Sequence, residues 1–349
     1  MRALAVAWLA AGTLGCATSR KLEYTPVEFR AAVGRTLKVA ADSVQVPFEV
    51  DAAAIEQAQR IAGPLLTPRD KARALAEAMI SQKEFGIVYD PLATSSAREA
   101  LRDRRGNCLG MSSLFIGLAR GIGLNAYYLD ASDRVTTLDD SDAFIVSSGH
   151  VSAVVRTTEG DRIVDFDRSI SRYRTLRVMD DLQALAHYYN NRGYDLLREY
   201  GEPDDIPDDV WQRALAEFES AVQLNASLAR AWNNAGIGYA RLGQTDEAIV
   251  RYRIAISQDP DLAEAHNNLG VLYLRLDRPA DALPQLRRAV ELAPRNPYHL
   301  YHLALALRRT QDLPSSLDAL RQALAIKPDY TEAATTLQAF QGPPRVPER

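Results

Sequence analysis

A 34-residue period near the C-terminal end constrains the fold of this 349-residue sequence more than any other feature. Pro260, Pro294 and Pro328 are each 34 residues apart, and Asn-Asn pairs begin at Asn233 and Asn267 with the same spacing. A period of this length is typical of helical hairpins, which bury their apolar faces by stacking on one another. The sequence therefore predicts an all-α superhelix over residues 184–340, ending in a capping helix, and a short tail over residues 341–349.

The pattern inside each period resembles the tetratricopeptide repeat. When each proline takes the thirty-second position, the first copy fills this family's large and small packing positions with Trp232, Gly236, Tyr239, Ala248, Tyr252 and Ala255. An earlier copy contains NNRG at 190–193, and an acidic, proline-rich insert accounts for its spacing of 43 residues from NNAG. We therefore expect about four repeats, the first with an insert.

The repeat resemblance also implies a concave face that binds a peptide or protein. Asn191, Asn234 and Asn268 recur at one place in successive repeats, and their amides are candidates for hydrogen-bonding an extended peptide. The alternative is that these asparagines only follow the repeat consensus. His299 and His302 have a helical i, i+3 spacing, but without a third candidate ligand the sequence predicts no metal site.

The first sixteen residues have the pattern of a secretory signal. Arg2 precedes a twelve-residue apolar run, shorter than the ~20 residues that a membrane-spanning helix needs, and Gly15-Cys16 follows it. This ending resembles the bacterial lipoprotein signal, which implies that Cys16 is lipidated and becomes the mature N-terminus, followed by a tether over residues 17–44. Ala17 after that cysteine implies an outer-membrane lipoprotein facing the periplasm. The alternative is an ordinary secretory signal in which Cys16 is incidental.

Residues 45–183 have no repeat and contain the second cysteine. Two cysteines are too few for a disulfide framework or an all-cysteine zinc site, so Cys108 needs its own explanation. Asn107 is a candidate helix cap, and Met111, Leu114, Phe115, Leu118 and Ile122 continue from it at helical spacing. Cys108 is thus expected in the first turn of a buried helix, where the partial positive charge stabilises a thiolate.

A cysteine nucleophile needs a base, and His150 is the one histidine before the repeat region. It precedes VSAVVR, which alternates like a strand and turns through TTEGD into RIVDFD. In such a hairpin, the residues opposite or diagonal to His150 are Asp165 and Asp167. Either carboxylate can orient the imidazole and stabilise its protonated form.

The segments RRGNCLGMSSLFIGLARGIGL, GHVSAVV and RIVDFD, in this order, resemble the transglutaminase-like superfamily. The resemblance implies a papain-related α+β domain over residues 45–183, with Cys108 as nucleophile, His150 as base and acid, and Asp165 as the orienting acid. Asp167 is the alternative third member. The chain departs from the family at Ser152, where many members have an aromatic residue. The backbone N–H of Cys108 is a candidate oxyanion donor.

These features together predict an envelope-anchored cysteine acyl-transfer enzyme whose repeats recruit a peptide or protein. Hydrolysis of an amide or peptide bond is the first expectation, and transfer to an amine is the second. The alternative from another class is a non-enzymatic scaffold lipoprotein with an inactive transglutaminase-like domain. No cofactor is expected, and a net charge of -4 leaves no basic excess for binding nucleic acid.

Overall fold

The computed structural model describes residues 9–10, 21–131, 136–138, 146–148, 150–166, 176–200 and 205–341. The chain divides into two compact units. The first unit contains residues 1–136, 148–195 and 220–226, and the second contains residues 137–147, 196–219 and 227–349. The boundary expected at residue 184 lies inside a helix, Asp181–Arg198.

Local capping determines where the early helices of the first unit begin. Thr25, Thr67 and Ser96 each accept a hydrogen bond from the backbone N–H three residues later. The early helices are α1 (Pro26–Leu37), a 3₁₀ helix (Ala41–Ser43), α2 (Ala52–Ala62), α3 (Pro68–Ile80), α4 (Ala97–Asp103) and α5 (Cys108–Gly121).

A five-stranded antiparallel sheet packs against α5. Its strand order is β1-β8-β7-β4-β9, and the other short strands form two-stranded pairs, β2 with β3 and β5 with β6. The strands are β1 (Leu9–Ala10), β2 (Val88–Tyr89), β3 (Arg105–Gly106), β4 (Ala126–Asp130), β5 (Thr136–Leu138), β6 (Val146–Ser148), β7 (Val151–Thr157), β8 (Gly160–Val164) and β9 (Arg177–Met179).

The predicted hairpin is the pair β7 and β8. Its register sets Ala153 opposite Val164 and Thr157 opposite Gly160. Gly160 has φ +102, a conformation that L side chains rarely adopt, so the turn requires glycine there. One pair beyond Ala153 and Val164, Ser152 falls beside Asp165.

Helix α5 lies at the centre of the first unit, and every residue from Cys108 to Ala119 is buried. Two of its glycines permit close approach of other backbone segments. A Cβ at Gly117 would lie 2.2 Å from the carbonyl oxygen of Phe48, and one at Gly110 would lie 2.3 Å from Ser95 Oγ. A larger residue at either position would push α5 away from the loop residue that it contacts there, Phe48 or Ser95.

The rest of the described chain is helical and follows the predicted period. The hairpins α8–α9, α10–α11 and α12–α13 correspond to three successive repeats, and α14 follows them. The helices are α6 (Asp181–Arg198), α7 (Asp208–Leu224), α8 (Ala229–Arg241), α9 (Thr245–Gln258), α10 (Ala263–Arg275), α11 (Pro279–Leu292), α12 (Pro297–Arg309), α13 (Leu313–Ile326) and α14 (Thr331–Gln341).

Small residues at the helix crossings explain the tight hairpins. A Cβ at Gly236 would lie 2.7 Å from the Tyr252 ring, and one at Gly270 would lie 2.5 Å from Leu286. Gly243, Asp277 and Gln311 occupy equivalent turn positions 34 residues apart, and all three have left-handed φ. In the third hairpin, Ser316 replaces the usual alanine and donates to the carbonyl of Ala304 at 2.7 Å, which satisfies its buried hydroxyl. The predicted fold class, an α+β domain followed by an all-α repeat superhelix, is confirmed.

Candidate active site

Cys108 is the first residue of α5, and Asn107 is the cap that the sequence predicts. The Asn107 side-chain oxygen accepts hydrogen bonds from the backbone N–H groups of Leu109 (3.1 Å) and Gly110 (3.0 Å). Its amide nitrogen donates to Thr94 Oγ1 at 2.9 Å, which ties the cap to the preceding loop. The N–H of Cys108 is not among the donors that Asn107 satisfies, so it remains the candidate oxyanion donor at this helix start.

His150 immediately precedes β7 and lies close to Asp165. Its Nε2 atom is 3.0 Å from Asp165 Oδ2, and its backbone carbonyl accepts from Ala131 at 3.0 Å. Cys108, His150 and Asp165 are only 8%, 5% and 5% exposed. The structure thus brings together the three residues expected to form the triad, and Asp165 occupies the position diagonal to His150. Asp167, the alternative, lies outside the described residues.

The charges beside His150 favour its protonated form. Burial alone lowers the pKa of an imidazole, because it penalises the charged state. Here that effect is outweighed by hydrogen bonds to Asp165 and Cys108 and by their negative charges, which together raise the pKa of His150 from 6.5 to about 10. An imidazolium between a sulfur and a carboxylate is the arrangement of a cysteine nucleophile with its base and orienting acid.

Ser152 is a polar member of the site that the sequence interpretation treated only as a departure from the family. It is fully buried, and its hydroxyl donates to Asp165 Oδ2 at 3.1 Å while lying 3.3 Å from His150 Nε2. The serine therefore fixes the carboxylate that contacts the imidazole. The hairpin register could have identified Ser152 as a site residue, since it places Ser152 beside Asp165 across β7 and β8.

The asparagines expected in the repeat groove are all buried. Asn191 is 3% exposed, and Asn234 and Asn268 are fully buried. Asn268 donates to Asn233 Oδ1 at 3.0 Å, which links two successive repeats. Their contact with a peptide stays a prediction, as does the lipidation of Cys16, which lies outside the described residues.

His299 and His302 are also buried, and His302 Nδ1 lies 2.8 Å from Asn267 Oδ1. Across the described ranges, no group of three or more His, Cys, Asp or Glu side chains could hold a metal ion. The described helices likewise include none with the length and apolar character needed to cross a bilayer.

Comparison with known families agrees with this architecture. Residues 55–162 match the model of the transglutaminase-like superfamily, and residues 238–277 and 272–331 match two tetratricopeptide repeat models. The chain has a transglutaminase-like domain followed by tetratricopeptide repeats. The match to the transglutaminase-like superfamily includes Cys108 and His150 and ends three residues before Asp165.

Several solved structures are similar to part of this chain. MamA 41-end from Desulfovibrio magneticus RS-1 is 21% identical, covers 45% of this chain and 83% of its own, and has a TM-score of 0.39. YrrB, described as a TPR protein with an unusual peptide-binding site, is 25% identical over 45% of this chain and 77% of its own, with a TM-score of 0.36. The first TPR of Spaghetti (RPAP3), bound to an HSP90 peptide, is 25% identical over 32% of this chain and 90% of its own, with a TM-score of 0.32. No curated protein matches the chain.

Proposed function

We propose that this protein is an envelope-anchored cysteine acyl-transfer enzyme that hydrolyses an amide or peptide bond. The observation that carries the proposal is the contact of His150 with both Cys108 and Asp165 at the start of a buried helix. A sulfur, an imidazole and a carboxylate in this order are the groups that nucleophilic acyl transfer requires. The tetratricopeptide repeats that follow are interaction modules, and we propose that they recruit a peptide or protein.

The reaction would proceed in two steps. The Cys108 thiolate attacks the amide carbonyl, the C–N bond breaks, and the His150 imidazolium gives its proton to the leaving amine, which leaves a thioester on Cys108. Water then attacks the thioester while His150 removes its proton, so that a carboxylic acid is released and the Cys108 thiolate and the His150 imidazolium are restored. The N–H of Cys108 would stabilise the oxyanion in both steps.

Thiol reactivity tests the first step without knowledge of the substrate. We expect iodoacetamide to alkylate Cys108 of the full chain at pH 7 at least about tenfold faster than glutathione, because the thiolate is the reactive form of cysteine. His150→Gln should remove this advantage, whereas His266→Gln, which changes a histidine of the repeats bonded to Gln285, should retain it. Equal rates for Cys108 and glutathione, or an unchanged rate in His150→Gln, would contradict the proposal.

Substrate trapping separates hydrolysis from its alternatives. A Cys108→Ala strain should accumulate an uncleaved amide that the wild-type protein cleaves in vitro. Incorporation of a labelled primary amine into that substrate would instead identify a transamidase. A Cys108→Ala strain that keeps the function of the wild type would favour the scaffold lipoprotein.

The repeats and the anchor have separate tests. Asn234→Ala combined with Asn268→Ala should reduce co-purification of the trapped substrate with Cys108→Ala and leave Cys108 alkylation in the otherwise wild-type chain unchanged. Cys16→Ser should shift the protein from the membrane fraction to the soluble periplasmic fraction. An unmodified N-terminus elsewhere than Cys16, seen by mass spectrometry of the mature protein, would contradict lipidation.

A further inference from the structure

One stripe of residues recurs on the first helices of the repeats. On α8 its members are spaced at i, i+4, i+7 and i+11, so they share one side of the helix: Arg230, Asn234, Ile237 and Arg241. This side is turned away from α9, because Gly236 contacts Tyr252 of α9. The equivalent stripe on α10, 34 residues later, contains Glu264, Asn268, Val271 and Arg275. First helices line the inner surface of a stacked superhelix, so the two stripes together are called the inner groove.

The inner groove is more deeply buried on α8 than on α10. On α8, Arg230 is only 8% exposed and Ile237 is fully buried. On α10, Glu264, the equivalent of Arg230, is half-buried, and Arg275 is exposed. An arginine is almost never buried as deeply as Arg230 unless another group pairs with it. Burial of this extent calls for a covering segment at the α8 end of the groove.

The division of the chain into compact units indicates which segment this is. Residues 137–147 are grouped with the repeats, although β4 before them and β7 after them belong to the first unit. The two short strands at the ends of this segment, β5 and β6, pair with each other, and residues 139–145 join them. A segment of the transglutaminase-like domain thus belongs to the same compact unit as the inner groove.

The charges of this segment and of the inner groove are complementary. The segment contains Asp139, Asp140 and Asp142 and has no lysine or arginine between residues 137 and 147. The groove contributes arginines from successive repeats. Burial raises the pKa of Tyr252, and the positive charges of Arg241 and Arg275 both oppose that rise, so the two guanidinium groups lie near one hydroxyl. Neighbouring guanidinium groups favour a carboxylate ligand, which can accept two hydrogen bonds from each of them.

We propose that Asp139, Asp140 and Asp142 bind the arginines and amides at the α8 end of the inner groove, and that the partner of the repeats is an acidic peptide that displaces them. This inference rests on the proposed recruitment of a peptide or protein and specifies its chemical class. Because the segment is part of the same chain, its effective concentration at the groove is high, and a partner has to compete with it.

Photo-crosslinking on the full chain tests whether the segment lies in the groove. With p-benzoylphenylalanine in place of Phe144, irradiation should link residue 144 to peptides of α8 or α10, as identified by mass spectrometry. Excess synthetic peptide TTLDDSDAFIVS, the sequence of residues 136–147, should reduce the yield. The same group in place of Leu66, which is 95% exposed, should give no such link. Absence of a link from residue 144 to either helix would overturn the proposal.

Peptide binding tests the competition. Fluorescence anisotropy measures the affinity of the full chain for labelled TTLDDSDAFIVS. If the segment occupies the groove in about nine of ten molecules, Asp139→Asn, Asp140→Asn and Asp142→Asn combined should raise this affinity about tenfold. The matched control combines Asp205→Asn, Asp208→Asn and Asp209→Asn, which change three exposed aspartates of the same unit, and should keep the wild-type affinity. Equal affinities of the wild type and the first variant would contradict the competition.

Two further comparisons test the recognition of charge. The neutral peptide TTLNNSNAFIVS should bind the first variant at least about tenfold more weakly than the acidic peptide does. Equal binding would overturn acidic recognition, and this comparison needs no change in the groove. Arg241→Gln with Arg275→Gln, added to the first variant, should weaken the acidic peptide to a similar extent at an unchanged Tm. Arg287→Gln with Arg321→Gln, which change exposed arginines of the second helices, should not. Equal losses from both pairs would show attraction without a site, and would overturn the inner groove as the binding surface.

Failure of the wider proposal would look different. If residue 144 formed its link to the groove and the acidic peptide displaced it, but the trapped substrate did not co-purify with Cys108→Ala, recruitment of that substrate by the repeats would be contradicted. The binding of the acidic segment in the groove would stand.

Discussion

Two buried histidines in the two units of this protein have opposite electrostatic environments. His302, in the repeats, lies beside a neutral amide, and burial together with the positive charges of His299 and Arg275 lowers its pKa from 6.5 to about 3. His150, in the transglutaminase-like domain, is buried as well, yet hydrogen bonds to Asp165 and Cys108 and their negative charges raise its pKa to about 10. Burial therefore does not distinguish an active-site histidine from a packing histidine. The charge of its partners does.

The polar residues around these histidines differ in the same way. In the repeats, neutral amides connect successive hairpins, with Asn268 bonded to Asn233 and Asn267 bonded to His302. Such pairs satisfy buried groups and contribute to stability without creating a reactive group. Around His150, a carboxylate, a sulfur and a hydroxyl meet at one imidazole. We therefore expect substitutions in the first cluster to change stability, and substitutions in the second to change reactivity.

The largest loss of activity is expected from a substitution at Asp165. Asp165→Asn keeps the shape of the side chain but removes the charge that orients and stabilises the His150 imidazolium. Hydrolysis of the trapped amide substrate should fall at least about a thousandfold, with little change in the free energy of unfolding. Asp161→Asn is the matched control, because Asp161 lies in the same hairpin but bonds to Tyr127 and Arg156. Comparable losses in both variants would mean that the hairpin, and not the triad, had been disturbed.

At His302 we expect a substitution to lower stability without changing the reactivity of Cys108. His302→Ala leaves the Asn267 side-chain oxygen without its bond and opens a cavity, so the free energy of unfolding of the repeats should fall by about 2–4 kcal/mol. Urea unfolding followed by circular dichroism measures this loss. The alkylation rate of Cys108 should stay at the wild-type value. In a double-mutant cycle with Asn267→Ala, the two losses of unfolding free energy should be non-additive, since the two side chains bond to each other. A change in the alkylation rate of Cys108 would contradict the expectation that substitutions in the repeats affect stability alone.

The pH dependence of stability should run in opposite directions for the two histidines. The folded pKa of His150 is raised, so its contribution is fully present below about pH 6.5 and is lost as the pH rises towards 10. The folded pKa of His302 is lowered, so its contribution is fully present above pH 6.5 and is lost as the pH falls towards 3. Nuclear magnetic resonance titration of the two rings, assigned with His150→Gln and His302→Ala, tests both directions. Titration midpoints near pH 6.5 for both rings would contradict the opposite pKa shifts of His150 and His302.

Much of the fold could be predicted because its signals are local. The 34-residue period specified the hairpins, the Asn107 cap specified the start of α5, and the alternation after His150 specified β7 and β8. Each of these features is determined by neighbours within one turn or one strand. They did not by themselves pair Cys108 with His150, an expectation that came from the need of a cysteine nucleophile for a base and from the resemblance to the transglutaminase-like superfamily.

What the sequence did not specify depends on contacts between distant segments. The sequence placed Asp165 and Asp167 on one face but could not tell which carboxylate meets the imidazole, because strand alternation fixes the face of a side chain and not its contacts. A serine in place of an aromatic residue appeared as a loss, whereas the structure gives its hydroxyl two partners in the site.

The smallest loss of activity is expected when the Ser152 hydroxyl is removed. Ser152→Ala removes one hydrogen bond from Asp165 and leaves the charges of the triad in place, so hydrolysis should fall only about five- to tenfold, the equivalent of about 1 kcal/mol. Because the carboxylate loses a donor while His150 keeps its charged neighbour, the pH profile of Cys108 alkylation should also shift, which a purely structural role would not cause. Ser152→Thr keeps the hydroxyl and should restore the profile, even if its extra methyl group lowers the Tm in this fully buried position. A Ser152→Ala variant with unaltered rate and profile would show that Asp165 is held without this bond, and that the serine is there for packing alone.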